Sequence, residues 1–461
     1  MEFTFEGQGE LNTLRPLRFI EGPLNRFDGM SLVVGFGDKK ALPRRKAVML
    51  MRKAASFAKQ NQVKTFEIDF KEIRTLAAKD ISDADLAQLV AEAFVMVNYE
   101  HTAYKNPPKE GFMFIETVAV RNASAAVKNG FTKGTAVGEA VNAARELSNT
   151  PGGDMTPELL AEAAVKAAEG TSAKVKILGK LEMAQLGMGA ILGISKGSPE
   201  EPQFIMVEYW GTDRSKKPVV LAGKGVTFDT GGLNLKGGDG MYEMHMDMSG
   251  GAAVIHAAIL AAKLGLKKNV VALVPAVENN LSTNAVRPGD VLKSMSGKMI
   301  EILNTDAEGR VILADAITYS KKYNPSAVVD VATLTGAALV ALGTVASAVM
   351  TNKESVMPRL MEMAEESGDY IWQFPLWEEY DEMVKGNFGD VSNISTMGNS
   401  RYGGVIAGGK FLEVFAKELD CPWVHLDIAP VMTSRPGDFL AKGASGAPVR
   451  LLLKIIENGV K

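Results

Sequence analysis

Four short apolar runs in the second half of the chain place the strongest constraint on its fold. The runs are 219–221, 270–276, 328–332 and 424–428, and helix-like segments separate them. Runs this apolar are typical of strands that are buried on both faces. Because strands that alternate with helices usually form parallel sheets, we predict an α/β fold with a mostly parallel central sheet flanked by helices.

The N-terminal part of the chain shows a second alternation of strands and helices. The predicted strands are 32–34, 66–70 and 112–120, and the predicted amphipathic helices are 46–59 and 83–99. This pattern indicates a separate α/β unit.

Glycines mark the end of this unit. A stretch punctuated by Gly130, Gly134 and Gly138 precedes a further predicted helix, and we interpret it as a boundary region. The chain has 461 residues, of which 46% are hydrophobic, which exceeds one average domain. We therefore predict two α/β domains, a smaller N-terminal one at 1–140 and a larger one at 141–461.

Charge and cysteine content indicate which kinds of binding partner and which cellular compartment to expect. With 51 basic and 54 acidic residues the net charge is -3, which argues against nucleic acid or an anionic membrane and favours peptides or small molecules. A single cysteine, Cys421, excludes an intramolecular disulfide framework and fits a cytoplasmic location. Residues 1–20 lack the apolar core of a secretory signal. The run 336–350 is too short to span a membrane, so we interpret it as buried.

Acidic residues beside glycines and turns are the clearest candidates for metal binding or catalysis. Asp229, Asp247, Asp306 and Glu308 offer four hard oxygen ligands, suited to divalent Zn, Mn, Mg or Co. Two such ions would cancel the repulsion among the carboxylates, activate a water and polarise an amide carbonyl, as hydrolysis requires. Taken singly, each of these residues is more typical of a solvated turn, and only their joint pattern favours a metal site.

Basic residues near the carboxylates suggest further roles. Lys224 and Lys236 could act as a neutral amine ligand or a charged electrophile, although Lys236 could also be an exposed loop lysine. Arg310 could hold an anion with its planar guanidinium or form a structural bridge to Glu308. A ligand role and a supporting role are both open for His245. The chain has no Walker loop, no His-Glu-x-x-His and no Gly-x-Ser-x-Gly elbow, which argues against those alternatives.

The order of these motifs matches a known family. The segment 304–310, with the sequence NTDAEGR, is similar to the signature of the cytosolic leucine aminopeptidases, which are di-metal exopeptidases that remove N-terminal residues from peptides. The segments 223–232, 244–248, 330–337 and 425–429 resemble the other motifs of that family in the same order. The resemblance covers roughly 142–453 and implies a metallo-aminopeptidase that acts on leucine and similar N-terminal residues.

The resemblance also implies individual roles at two divalent ions, Mn²⁺ or Zn²⁺. Asp229 and Glu308 would bridge the two ions, Lys224 and Asp247 would complete one site, and Asp306 would complete the other. Lys236 would stabilise the developing oxyanion, and Arg310 would hold a bicarbonate ion that serves as general base. The positions implied for substrate binding are Asn304, Met244, Thr333, Leu334 and Gly336.

The family pattern further implies a homohexamer that acts on peptides. Three departures leave every expected ligand in place: His245 stands where lysine is common, Thr230 where serine is usual, and Pro430 where glycine often follows. Two other functions stay open. One is a dipeptidase that prefers cysteinylglycine, and the other is a regulatory nucleic-acid-binding protein that retains the metal site.

Overall fold

The computed structural model describes residues 1–5, 14–37, 41–399 and 402–460. The chain divides into two compact units. One contains Met1–Asn142 with Ser434–Gly443, and the other contains Ala143–Thr433 with Ala444–Lys461. Within the described ranges, no helix combines the length and the apolar character needed to cross a membrane.

The first unit is built on a six-stranded sheet in the order β1-β6-β5-β2-β4-β3. The strands are β1 (Glu2–Phe5), β2 (Arg15–Ile20), β3 (Arg26–Phe27), β4 (Leu32–Gly35), β5 (Thr65–Asp69) and β6 (Thr117–Arg121). The helices of this part of the chain are α1 (Arg44–Gln60), α2 (Phe70–Leu76), α3 (Asp83–Asn98) and α4 (Ala125–Asn149). All strand pairs are parallel except β3 with β4.

The predicted strands and helices of this unit are confirmed, with two boundary corrections. The strand predicted at 66–70 ends at Asp69, because the Asp69 side chain accepts a hydrogen bond from the Lys71 backbone N–H and caps α2. The strand predicted at 112–120 begins only at Thr117. The Asn98 side chain accepts a hydrogen bond from the Ile115 N–H at 2.7 Å and donates one to the Ile115 carbonyl at 2.8 Å. Because both backbone groups are used in this way, Ile115 does not pair in the sheet.

The glycine-rich stretch interpreted as a boundary region is part of the 25-residue helix α4, and the division between the two units, after Asn142, falls within the same helix. Its glycines allow α4 to pack closely against α3. A Cβ atom on Gly130 would lie 2.4 Å from the carbonyl oxygen of Ala84, and one on Gly134 would lie 2.3 Å from that of Gln88. The helix continues through the stretch because the spacing of four residues places the glycines on one face of a helix.

The second unit contains the remaining elements. Its strands are β7 (Lys174–Leu178), β8 (Gln203–Trp210), β9 (Val219–Gly223), β10 (Gly225–Asp229), β11 (Asn269–Asn279), β12 (Val291–Lys293), β13 (Met299–Glu301), β14 (Ala327–Ala332), β15 (Ser347–Thr351), β16 (Ile371–Gln373), β17 (Val391–Ser392) and β18 (Trp423–Asp427). Its helices are α5 (Pro157–Ala168), α6 (Lys180–Gln185), α7 (Gly189–Ile194), α8 (Gly238–Met241), α9 (Ser249–Lys263), α10 (Glu308–Ser320), α11 (Gly336–Leu342), α12 (Met357–Ser367), α13 (Gly404–Ala416) and α14 (Val449–Asn458).

A nine-stranded sheet forms the centre of this unit, in the order β16-β15-β18-β14-β9-β11-β8-β7, with β10 paired to β11. The four apolar runs correspond to β9, β11, β14 and β18, which pair with one another in parallel. The outer pairs β7–β8, β8–β11 and β15–β18 are antiparallel. The predicted fold class, α/β with a mostly parallel central sheet, is therefore confirmed.

Helices cover both faces of the sheet. A Cβ atom on Gly223 would lie 2.6 Å from a methyl group of Val254, so this face of β9 packs against α9. The alternate residues Val220 and Ala222 belong to one hydrophobic cluster with Ile312 of α10, on the opposite face.

The interpretation of 336–350 as buried is wrong for its first half. Strand β15 is fully buried, but α11 exposes Leu339 and Val340, and Val340 is 88% exposed. Alanine and glycine content indicated a packed segment, whereas only one side of this short helix, at Ala338, contacts a core cluster.

Candidate metal centre

The candidate site residues lie where the chain leaves the carboxyl ends of strands in the nine-stranded sheet. Lys224 directly follows β9, Asp229 is the last residue of β10, and Thr333 directly follows β14. Asp247 follows the short 3₁₀ helix Met244–Met246 and precedes α9. Ligands bind at this edge of parallel sheets, as the sequence predicts.

The segment before α10 supplies the other two carboxylates. Glu308 begins α10, and the Asp306 backbone N–H donates to the side chain of Asn304 at 2.8 Å, which forms a tight turn. Asp229, Asp306 and Glu308 can each contribute one carboxylate oxygen to a group in which all three atoms lie within 4.8 Å of one another. That spacing suits direct coordination of a metal ion.

Two lysine side chains lie among the carboxylates. Lys224 Nζ is 2.7 Å from Asp247 Oδ2 and 2.8 Å from Glu308 Oε1. Lys236 Nζ is 2.7 Å from Asp229 Oδ2 and 2.5 Å from Asp306 Oδ1. The structure thus brings all five ligands predicted for the metals, together with Lys236, into one cluster.

The donor set fits divalent metal ions. Asp247 Oδ2, Asp306 Oδ1 and Glu308 Oε1 are buried, and none accepts a well-directed hydrogen bond from the part of the chain that the structure describes. Two ammonium groups balance only half of the charge of four carboxylates. Buried carboxylates whose negative charge exceeds that of their cationic partners are costly unless a further cation compensates them.

The pKa values follow from this crowding. Burial raises the pKa of Glu308 to about 8, and the negative charge of Asp229 adds to the effect. Burial also raises the pKa of Asp247. For Lys224 burial disfavours the charged form, but the carboxylates of Asp247 and Glu308 outweigh it and raise its pKa. The cluster is therefore built to favour cations.

Glycine is required at two positions around the cluster. A Cβ atom on Gly309 would lie 2.4 Å from Cε and 2.7 Å from Nζ of Lys224. Gly231 has φ +85°, and a Cβ atom there would lie 2.9 Å from Asp306 Oδ1. These glycines let the backbone approach the charged groups directly.

Arg310 lies two residues into α10 and is buried. Among the described residues it forms no direct ion pair with Glu308, so the structural bridge considered from the sequence is not seen, and its Nε atom has no hydrogen-bond partner there. Burial lowers its pKa to about 10, and the carboxylates of Glu308 and Asp427 oppose that shift. Nε is therefore a buried donor that no described residue uses.

The five positions implied for substrate binding lie in different settings. Thr333 is buried and donates from Oγ1 to Asp247 Oδ1 at 2.7 Å. Leu334 is half-buried, and its N–H donates to Asp427 Oδ1 at 3.1 Å. Gly336 is exposed and begins α11, while Met244 and Asn304 are half-buried. Thr333 and Asn304 thus contact ligand candidates directly.

The three positions that depart from the family pattern lie in defined local structure. Thr230 still supplies a hydroxyl group, which donates to the Asn279 carbonyl at 3.0 Å. Pro430 lies in the 3₁₀ helix Ala429–Val431, and His245 is half-buried in the one that precedes Asp247.

Sequence reasoning missed several buried side chains that support the site. Asn279 donates from Nδ2 to Asp229 Oδ1 at 2.8 Å and to the Thr305 carbonyl at 3.0 Å. Asn393 accepts from the Leu303 N–H at 2.8 Å and donates to the Asn304 carbonyl at 2.6 Å. A polar residue at the end of a buried strand, as in Asn279, was the only signal available.

Comparison with known proteins gives the family. Residues 142–453 match the model of the cytosol aminopeptidase family, catalytic domain. The chain belongs to this family. The match covers the residues of the second unit that carry the carboxylate and lysine cluster.

Individual relatives agree with this assignment. A probable cytosol aminopeptidase of Roseiflexus castenholzii is 39% identical over 433 residues, which cover 93% of this chain and 86% of the relative. One of Chromobacterium violaceum is 46% identical over 332 residues, 72% of this chain and 62% of the relative. The chain therefore spans about three fifths of that relative's length.

A solved structure shows the same fold along nearly the whole chain. It is described as the bottromycin maturation enzyme BotP in complex with Mn, and it is 28% identical with a TM-score of 0.85. The superposition covers 97% of this chain and 100% of that one.

Proposed function

We propose that this protein is a metallo-aminopeptidase that releases N-terminal amino acids, leucine and similar residues, from peptides. The observation that carries the proposal is the convergence of Asp229, Asp306 and Glu308 within 4.8 Å of one another. Membership of the cytosol aminopeptidase family supports the reaction class.

The proposed metal ligands are Lys224, Asp229, Asp247, Asp306 and Glu308. Asp229 and Glu308 would help to hold both ions, Lys224 and Asp247 would complete one site, and Asp306 would complete the other. Two divalent ions would supply an activated water and a polarised scissile carbonyl. The complex of BotP with Mn supports Mn²⁺ as one candidate, beside Zn²⁺.

Lys236 and Arg310 carry the remaining catalytic roles in this proposal. The Lys236 ammonium group lies at the mouth of the cluster, less buried than Lys224, and would stabilise the oxyanion that develops on the substrate carbonyl. Arg310 would hold a bicarbonate ion as general base, in keeping with its burial and its unpaired Nε within the described chain.

Substrate binding is assigned to Asn304, Met244, Thr333, Leu334 and Gly336. A free α-amino group on the substrate would bind at the metal centre, which restricts cleavage to the N-terminus. The proposal places this chemistry in a catalytic domain at 141–461 and gives the domain at 1–140 an oligomeric or regulatory role.

The proposal extends to a cytoplasmic homohexamer. Names of relatives, probable cytosol aminopeptidase, support the location. Light scattering on the purified chain tests the hexamer, and a monomeric mass would remove that part of the proposal.

Hydrolysis of leucine p-nitroanilide tests the activity. The assay is run on protein treated with a chelator, then after addition of Mn²⁺ or Zn²⁺, with an N-acetylated substrate as control. We expect activity to vanish on chelation, to return with metal and to be absent on the blocked substrate. Activity on cysteinylglycine alone would favour the dipeptidase.

Two isosteric variants test the ligand assignment. Asp306→Asn and Glu308→Gln remove one negative charge each while keeping side-chain volume, so we expect metal affinity and activity to fall together by at least about tenfold. Circular dichroism should show an unchanged fold. Full activity in either variant would refute the assigned metal site.

A further inference from the structure

Thr305 joins two loops that carry charged residues of the cluster. It is fully buried, and its hydroxyl group donates to the Gly231 carbonyl at 2.6 Å while accepting from the Asn234 backbone N–H at 2.9 Å. The Thr305 N–H donates in turn to the Asn234 side-chain oxygen at 2.8 Å. We call this set of hydrogen bonds between Thr305 and residues Gly231 and Asn234 the clasp.

The clasp fixes the loop 230–236. That loop is closed at its base by the Lys236 N–H, which donates to the Thr230 carbonyl at 2.9 Å. Lys236 therefore reaches Asp229 and Asp306 from a loop whose tip is tied to the residue directly before Asp306. Movement at Thr305 would change the position of both the ammonium group and the carboxylate.

A third segment joins the clasp through β11. The Asn279 side-chain amide donates one hydrogen to the Thr305 carbonyl and the other to Asp229 Oδ1. Thr305 is thereby linked to Asp229 as well as to Lys236 and Asp306. The hydrogen bonds of its own hydroxyl group go to Gly231 and Asn234 and not to a carboxylate of the cluster.

Other hydrogen bonds hold the side of the cluster that contains Lys224 and Asp247. Asp247 accepts from the Thr333 hydroxyl at 2.7 Å, and Lys224 Nζ donates to the Thr333 carbonyl at 3.0 Å. Thr305 takes part in neither contact. A change at Thr305 should therefore act on one half of the cluster and spare the other.

We propose that Thr305 is a positioning residue that sets Lys236 and Asp306 relative to each other, and so controls one of the two metal ions and the rate of the chemical step. The inference rests on the proposed function. Residues that orient metal ligands typically change affinity or activity about 10- to 100-fold when they are lost.

The test compares Thr305→Val, which keeps the shape and removes the hydroxyl group, with Thr305→Ser, which restores it. Thr351→Val is the matched control, because the Thr351 hydroxyl is buried and donates to the Trp423 carbonyl at 2.6 Å in β15. Titration calorimetry with Mn²⁺ alone, thermal unfolding of the metal-free proteins, and kcat and KM at saturating Mn²⁺ are measured for each.

In Thr305→Val we expect one Mn²⁺ ion to bind about 10- to 100-fold more weakly, the other to keep its affinity, and kcat to fall at least about tenfold with little change in KM. Thr305→Ser should recover most of both. If Thr305→Val does not fold, Asn234→Ala removes the other half of the clasp from an exposed loop position and should give the same pattern.

A purely structural role gives a different result. Thr305→Val would then lower thermal stability as Thr351→Val does, with both Mn²⁺ affinities and kcat at the wild-type level, and the inference would be overturned. Wild-type protein that binds no Mn²⁺ would instead overturn the proposed function and this inference with it.

Discussion

Glycine at position 309 sets how closely the first turn of α10 approaches Lys224. The side chain of Lys224 runs directly over the place where a Cβ atom would stand, with Cε at 2.4 Å and Nζ at 2.7 Å. The lysine reaches Glu308 and Asp247 only because this space is free.

Gly309→Ala should displace the Lys224 side chain, because Cδ, Cε and Nζ of that lysine lie 2.4–2.7 Å from the place of the added methyl group. We expect Mn²⁺ affinity to fall by about 10- to 100-fold, as for loss of a supporting residue, with the fold retained. Calorimetric titration measures the affinity. Gly179→Ala is the control, since a Cβ atom there meets nothing within 4 Å. Equal affinity in the two variants would contradict this explanation.

Residues of the cluster could be predicted from the sequence because each belongs to a short motif with its own glycines or turn. Asn279 and Asn393 could not be predicted in this way. Their importance depends on contacts with residues 50 and 89 positions away, to Asp229 and Asn304 respectively, and nothing local distinguishes them from other asparagines.

Elements of the first unit show how packing decides between a helix and a loop. Helix α4 contains three glycines, which lower helix propensity by about 1 kcal/mol each relative to alanine. Close contact with α3 compensates, because the backbones approach within the reach of a methyl group. The sequence therefore places these glycines before the predicted helix, whereas α4 includes all three.

Gly134→Ala tests whether helix propensity or close packing against α3 has the larger effect on stability. Alanine improves helix propensity by about 1 kcal/mol, but its methyl group would lie 2.3 Å from the Gln88 carbonyl oxygen and 2.8 Å from Ala91 Cβ. Overpacking of this kind costs about 1–3 kcal/mol, so we expect net destabilisation in urea unfolding. Thr132→Ala, on the exposed side of α4, should change stability by less than about 0.5 kcal/mol. A stabilised Gly134→Ala protein would show that the helices separate at little cost.

At the scale of the whole molecule, the sequence predicted the fold class because buried parallel strands have a distinctive composition. The order of the strands was not predictable, since Ala327 of β14 pairs with Val219 of β9, 108 residues earlier, and Val328 pairs with Trp423 of β18, 95 residues later. Such pairings depend on which apolar surfaces fit together after the chain has collapsed.

Acid stability of the second unit depends on one of its buried histidines. His256 lies in α9, and burial, assisted by Lys263, lowers its pKa to about 4. The folded protein keeps this side chain neutral, whereas the unfolded chain takes up a proton below about pH 6.5. Because the unfolded state binds more protons between those values, the free energy of unfolding decreases as the pH falls through that range.

His256→Leu removes this dependence. We expect the stability of the variant relative to wild type to increase by about 2 kcal/mol between pH 7 and pH 5. Urea unfolding at the two pH values measures the difference. Parallel changes in both proteins would mean that His256 is protonated in the folded state.

The position of β18 has a consequence for synthesis of the protein. This strand lies between β14 and β15, and both of these strands precede it in the chain and are translated before it. Until then β14 and β15 each keep an unpaired edge, which is a template for association with other chains. Translation that stops between residues 352 and 422 therefore yields an aggregation-prone fragment, and the gap between β14 and β15 closes only after β18 has been translated.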